Sequence, residues 1–351
     1  MDQRIGFATS ADGTRLAYAV VGHGFPLVRT ATWLTGIEHD ADHPMWRHWW
    51  QEFARDHTFV RYDQRGCGLS TRKVDNFSLD ARVQDLEAII DHHGFERVDL
   101  FGHSHGVPVS IVYAARHPER VHRIILFNGF AKGPYAEWRP SDVHDVVWQL
   151  TQTSWNEPKT RRLYAVWNMP TATPDVVEAT IDLLYKITSV DNIVDLMSAA
   201  THFDVTDSLR SVRAPALVMQ STEGEINPAE NNRVLASLLP NAISVDIESK
   251  NNILRPDEPG WQTFVNEFRT FCTAPDTDLQ ARTAAQAEHS LSVREVQVLR
   301  LIADGKTDKA IGGALGISAR TVSNHVKSIL QKTETENRAH AVAWAARQGT
   351  L

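Results

Sequence analysis

Ser104 sits in the run Gly102-His-Ser-His-Gly106, with a glycine two residues away on either side. A serine hydroxyl is a weak nucleophile near neutral pH, and in a Ser-His-Asp triad an imidazole takes its proton and a carboxylate holds that imidazole. The stretch before it, "RVDLF", is β-type and the stretch after it, "HGVPVSIVYAARHPERV", is helical. A strand, a tight turn and a helix in that order hold a serine exposed at the top of a sheet. The flanking glycines suit the bend, where bulk would collide with the backbone. A second set of chemistry-bearing residues lies near the end of the chain. Arg320, Thr321, Ser323, Asn324 and Lys327 carry groups that suit phosphates and base edges.

The elements that must position Ser104 are those of an α/β protein. Residues 3–21 read as a hairpin turning at Asp12-Gly13. The runs "PLVRTA", "TFVRYD", "RVDLFG", "RIILFNG", "APALVMQ" and "AISVDI" are near-continuously apolar, as in a parallel sheet covered on both faces. Amphipathic helices alternate with them; in Leu79–His93, Val83, Leu86 and Ile90 share a face and Gly94 supplies the stop. The alternation breaks once, at about 132–213. That insertion is rich in large aromatics (Trp138, Trp148, Trp155, Tyr164, Trp167, Tyr185), and is expected to form a helical lid over the carboxyl edge of the sheet. Residues 273–288 are polar and weakly patterned and read as a linker. The expected organisation is therefore 1–272, a linker at 273–288, and a small all-α domain at 289–351.

Composition narrows the class. At 351 residues, 42% hydrophobic and 23% charged, the chain is that of a soluble globular protein large enough for two domains. The polar start and the lack of a long apolar run predict a cytoplasmic protein with no membrane partner. Cys67 and Cys272 lack ligand-spaced neighbours and read as plain buried thiols, so neither a metal nor a disulfide is expected. No cofactor is implied. The net charge of −7 is uneven: residues 288–351 hold nine Lys/Arg against six Asp/Glu, a balance of +3, which leaves −10 on residues 1–287. An acidic body with a basic end is the pattern of a chain whose end meets nucleic acid.

Residues 5–272 resemble the α/β-hydrolase superfamily, through the serine turn, "RYDQRGCGLS" at 61–70 and "YAARHPERV". The resemblance implies two oxyanion amides, one from His105 and one near Trp33, where the family's usual His-Gly reads Ala31-Thr32. It also implies an acid after the seventh strand and a histidine after the eighth. Those positions read Gly224 and Asn252, and no histidine occurs between His202 and His289. Glu223 or Glu225 could replace the acid. Asparagine cannot serve as a base near neutral pH, so Ser104 is read as a vestigial nucleophile and the domain as a pseudoenzyme. A pocket walled by lid aromatics would remain, with Trp33, Ser104, His105, Trp155 and Asn252 as ligand contacts. Two alternatives stay open: an active hydrolase using His103, His105, His144 or His202 as base, and a sensor acylated once at Ser104. Lys159, Arg161 and Arg162 read as a solvated helix face.

At the other end, Ser292-Val-Arg-Glu295 is a capping box opening a helix that ends at Gly305. Thr307 caps a second helix running to Leu315, and Gly316 turns into a third, "ARTVSNHVKSILQK". There Val322, Val326 and Ile329 must pack inward, while the opposite face carries polar and basic residues and no acid. Residues 291–345 resemble the LuxR-type helix-turn-helix family. Asp308 departs from its usual Asn, which puts one phosphate contact in question. Gly312-Gly313 replaces preferred Ala and weakens the second helix. The resemblance implies a homodimer through residues 337–348, whose Ala339, Ala343 and Ala346 would allow close approach. Together the halves predict a ligand-responsive transcriptional regulator binding a double-stranded operator and a small molecule.

Overall fold

The computed structural model describes residues 2–133, 142–224, 226, 229–289 and 291–347. Trp138, Glu225 and the side chain of His144 lie outside them. Eight strands form one sheet: β1 (Arg4–Thr9), β2 (Arg15–Val21), β3 (Phe25–Arg29), β4 (His57–Tyr62), β5 (Val98–His103), β6 (Val121–Phe127), β7 (Ala216–Ser221) and β8 (Ala242–Ile247). Their order is β1-β2-β4-β3-β5-β6-β7-β8. The β1–β2 and β2–β4 pairs are antiparallel; the rest are parallel.

The apolar runs are continuous because both faces of the sheet are covered. In β6, Ile124 and Leu126 enter one core with Leu100, while Ile125 and Phe127 enter the other with Phe101. The first core is roofed by α2 (Leu79–His92) and α3 (Gly106–Arg116), the second by α1 (Arg47–Phe53) and α10 (Pro259–Thr273). Between β6 and β7 stand the lid helices α4 (Asp142–Ser154), α5 (Pro158–Asn168), α6 (Pro174–Ile187), α7 (Val190–Thr201) and the short α8 (Thr206–Leu209). α9 (Ala229–Leu238) joins β7 to β8.

The stretch read as a linker is instead mostly helix, α11 (Asp276–His289). Its alanines favour a helix, and Leu279 is buried in the main core. The Gln286 side chain accepts from the Ser244 amide at 2.8 Å and donates to the Ser244 carbonyl at 2.9 Å, which satisfies part of the exposed edge of β8. Arg282 pairs with Glu267 on α10. The basic run on α5 also needs correction. Lys159 and Arg162 are exposed, but Arg161 is buried, donates to the Trp155 carbonyl at 2.7 Å and lies over the Tyr185 ring.

The C-terminal unit holds α12 (Val293–Ala303), α13 (Asp308–Leu315), α14 (Ala319–Lys332) and α15 (Arg338–Arg347). Both bonds of the Ser292–Glu295 capping box form, and Thr307 and Ser318 cap the next two helices. Val298, Leu299, Ile311, Val322, Val326, Ile329, Ala341 and Ala345 make its core. Among the described residues, no helix is long and apolar enough to cross a membrane.

Candidate ligand site and nucleic-acid interface

Ser104 directly follows β5, in the left-handed region at φ 50, the strained turn expected of the elbow. The turn demands its glycines: a Cβ on Gly106 would meet the Thr30 carbonyl at 2.8 Å, and one on Gly102 would meet Ser110 Oγ at 2.8 Å. His105 follows as the N-cap residue of α3. The "RYDQRGCGLS" loop is structural. Asp63 accepts from the amides of Ile37 and Leu69, and Arg65 forks onto Asp85.

No side chain among the described residues hydrogen-bonds Ser104 Oγ. Asn252 lies in the loop after β8, and its Nδ2 donates to Asn168 Oδ1 of α5 at 3.0 Å. Its amide donates to the Asn168 carbonyl at 2.8 Å, and its own carbonyl accepts from His103 Nε2 and Asn128 Nδ2, both at 3.0 Å. Of the alternative bases, the three whose side chains are described, His103, His105 and His202, are poor substitutes. Burial, with Arg29 nearby, pushes His103 down to about 3, and burial with Arg82 does the same to His105. His202 is exposed and turned back on the Ser198 carbonyl. Glu223 pairs with Lys250 at 3.6 Å on the surface.

A partly open cavity lies under the lid against the loop that follows β3. Its walls include Arg29, Asp40, Trp46, His103, Tyr164 and Asn168. Of the five expected ligand contacts only Trp33 lines it, stacked on Tyr164 at 5.0 Å. Trp155 stands behind, edge-on to Trp33 at 6.4 Å. Ser104, His105 and Asn252 are not on these walls; His103, next to Ser104, is. Sequence reasoning missed Arg29, Asp40 and Asn168. A charged residue inside the otherwise apolar run "PLVRTA" was the available signal for the first.

At the amino ends of the strands, His57, Asp99 and Cys272 bring their donor atoms within 4.8 Å of one another. Ligand spacing in sequence could not reveal this grouping. Asp99 is also bonded to His122 at 2.9 Å.

On α14, Arg320, Ser323, Asn324 and Lys327 are exposed and Thr321 is half-buried, bonded to Ser318. The face is less free of acids than its own helix indicates. Asp308 from α13 accepts from Ser323 Oγ at 2.6 Å and pairs with Arg338 at 2.7 Å. Ala339, Ala343 and Ala346 face outward on α15, opposite the buried Ala341 and Ala345.

A hydrolase scaffold joined to a helix-turn-helix unit defines the architecture of a transcription regulator. Residues 20–251 match the family described as alpha/beta hydrolase fold, and the chain belongs to it; residues 289–345 match the bacterial regulatory proteins of the luxR family. The chain is 27% identical over 203 residues to a Caulobacter sp. (strain K31) protein named "Putative carbamate hydrolase RutD", covering 52% of this chain and 69% of that one. It is 30% identical over 127 residues to the cis-3-alkyl-4-alkyloxetan-2-one decarboxylase of Shewanella oneidensis, covering 34% and 37%. The fold is also that of a bromoperoxidase from Bacillus anthracis, with TM-score 0.68 at 15% identity, covering 77% of this chain and 100% of that one.

Proposed function

We propose that the hydrolase-fold domain binds a small molecule without turning it over and that this binding controls operator recognition by α14. The observation that supports the reading is at Asn252, which we read as standing at the family's histidine position: its amide side chain is engaged with Asn168, and no described side chain hydrogen-bonds Ser104 Oγ. The DNA-reading face is otherwise intact, which favours a regulator over a scaffold. The outward alanines of α15 support a homodimer, the usual partner of a two-fold operator. α11 offers the route of coupling, since it is anchored to β8 and is followed within three residues by the Ser292 cap. A ligand acts on DNA only by binding two arrangements with different affinity.

The test is reciprocal titration. Operator duplex selected from random sequence by the purified chain is titrated with and without ligand extracted from the same preparation. Coupling of about 5–150-fold in either direction supports the reading. Equal affinities with and without ligand end it. Intact-mass measurement on the same sample separates the single-acylation reading, which the retained elbow at Ser104 favours, through a persistent Ser104 adduct.

A further inference from the structure

We propose that the cavity beneath the lid takes an organic monocarboxylate with an apolar body, its charged end paired with Arg29. The proposal specifies the ligand class of the regulator reading and rests on it for its biological use.

Arg29 is the last residue of β3 and only 2% exposed, yet it lines the cavity. Its guanidinium lies over Trp46 and Trp50, at 4.9 and 4.7 Å from the ring centroids. It makes no hydrogen bond among the described residues, and its Nε is cut off from water. The nearby acids are committed elsewhere. Asp40 Oδ1 accepts from Arg61 at 2.8 and 3.1 Å, and the two oxygens of Asp63 are taken by backbone amides. Burial also pushes Asp63 up to about 7, so it offers at most a partial negative charge at neutral pH. Two buried guanidiniums thus share little more than one carboxylate.

A buried cation without a partner is strongly disfavoured. Arginine does not escape by losing its proton: burial pushes Arg29 down only to about 10, and it stays charged at neutral pH. The missing negative charge must then come from a molecule that enters the cavity. One planar guanidinium matches one carboxylate in a two-bond fork. The remaining walls, including Trp33, Tyr164, Leu183, Leu184 and Ile187, suit an apolar body.

The full chain is titrated calorimetrically with acetate, hexanoate, benzoate and phenylacetate, and with the neutral amide of each. The expected result is binding of at least one acid, with its amide weaker by about tenfold or more, the worth of a charged hydrogen bond. Arg29→Met should abolish the preference for acid over amide and raise the melting temperature of the unliganded protein; Arg29→Lys should keep the preference in weakened form. Equal binding of acid and amide, an unchanged preference in Arg29→Met, or no binding of any acid up to 10 mM (about −2.7 kcal/mol) overturns the proposal. Arg29-dependent binding of an acid that leaves operator affinity unchanged would uphold this ligand class and remove the regulator reading instead.

Discussion

Asn252 and Asn168 are joined twice, amide to carbonyl along the backbone at 2.8 Å and side chain to side chain at 3.0 Å. The loop after β8 is thereby latched to lid helix α5. The pair is a structural contact between the lid and the loop at the carboxyl edge of the sheet. Asn252→Leu should leave the buried Asn168 Oδ1 without this donor and destabilise the protein by about 1–3 kcal/mol. Urea unfolding would register the loss, and an unchanged midpoint would mean that the latch contributes nothing.

Wild-type protein should hydrolyse short p-nitrophenyl esters no faster than Ser104→Ala. Loss of the base alone costs about 10⁶ in turnover in a well-studied serine protease. The position after β7 has room for its acid, because a Cβ on Gly224 meets nothing nearer than 3.5 Å. Gly224→Asp with Asn252→His should therefore introduce Ser104-dependent turnover that neither single variant shows. Steady-state rates across the four proteins decide this, and Ser104-dependent wild-type turnover near 1 s⁻¹, the low end of ordinary enzymes at roughly 1–10³ s⁻¹, would contradict it.

On the DNA-reading helix, Lys327→Ala should weaken specific and random duplexes alike and lower the log–log salt slope by about one. Asn324→Ala should relax base preference by about 1–3 kcal/mol. Asp308→Asn removes the negative charge held against Ser323 and frees Arg338. Random-duplex binding should tighten and the salt slope steepen. Fluorescence anisotropy over a salt series measures all three, and unaltered slopes would place the DNA on another face.

The two glycines of α13 should differ. Gly313 faces open space, so Gly313→Ala should stabilise the C-terminal unit by up to about 1 kcal/mol. Gly312 is buried, and its Cβ would meet the Ile317 carbonyl at 2.6 Å, so Gly312→Ala should destabilise despite the better helix former. Thermal melts of the pair check the ordering.

Acid should weaken the hydrolase-fold domain before its carboxylates titrate. Burial pushes His48 down to about 4 and His103 to about 3. Between those values and 6.5 the unfolded chain binds protons that the folded one does not, so stability falls as pH drops below 6.5, by up to about 1.4 kcal/mol per unit for each group. Asp63, pushed up to about 7, acts in the opposite direction: its contribution is full below 3.8 and fades as pH rises toward 7. His103→Gln should flatten the acid limb in urea midpoints between pH 4 and 6.5, and Asp63→Asn should steepen it. Midpoints independent of both variants would refute the assignment.

Much of this was written locally in the chain. Strands covered on both faces require unbroken apolar runs, so β3 to β8 were legible as such. The G-x-S-x-G turn, the Ser292 capping box and the inward spacing of Val322, Val326 and Ile329 depend on neighbours within a few residues. The absence of any histidine between His202 and His289 is a count that no folding can alter. What required the tertiary structure was pairing between distant residues. Asn168 and Asn252 are 84 positions apart, and Gln286 reaches Ser244 across 42. Asp308 entered the DNA-reading face from a different helix. Arg29 lay unremarked within a strand run, and only its burial over two tryptophans, with Asp40 drawn away by Arg61, made it an unpaired charge in a cavity. The physical reason is common to these cases: whether a polar group is satisfied depends on which other groups the fold brings within about 3 Å, and local sequence carries no record of them.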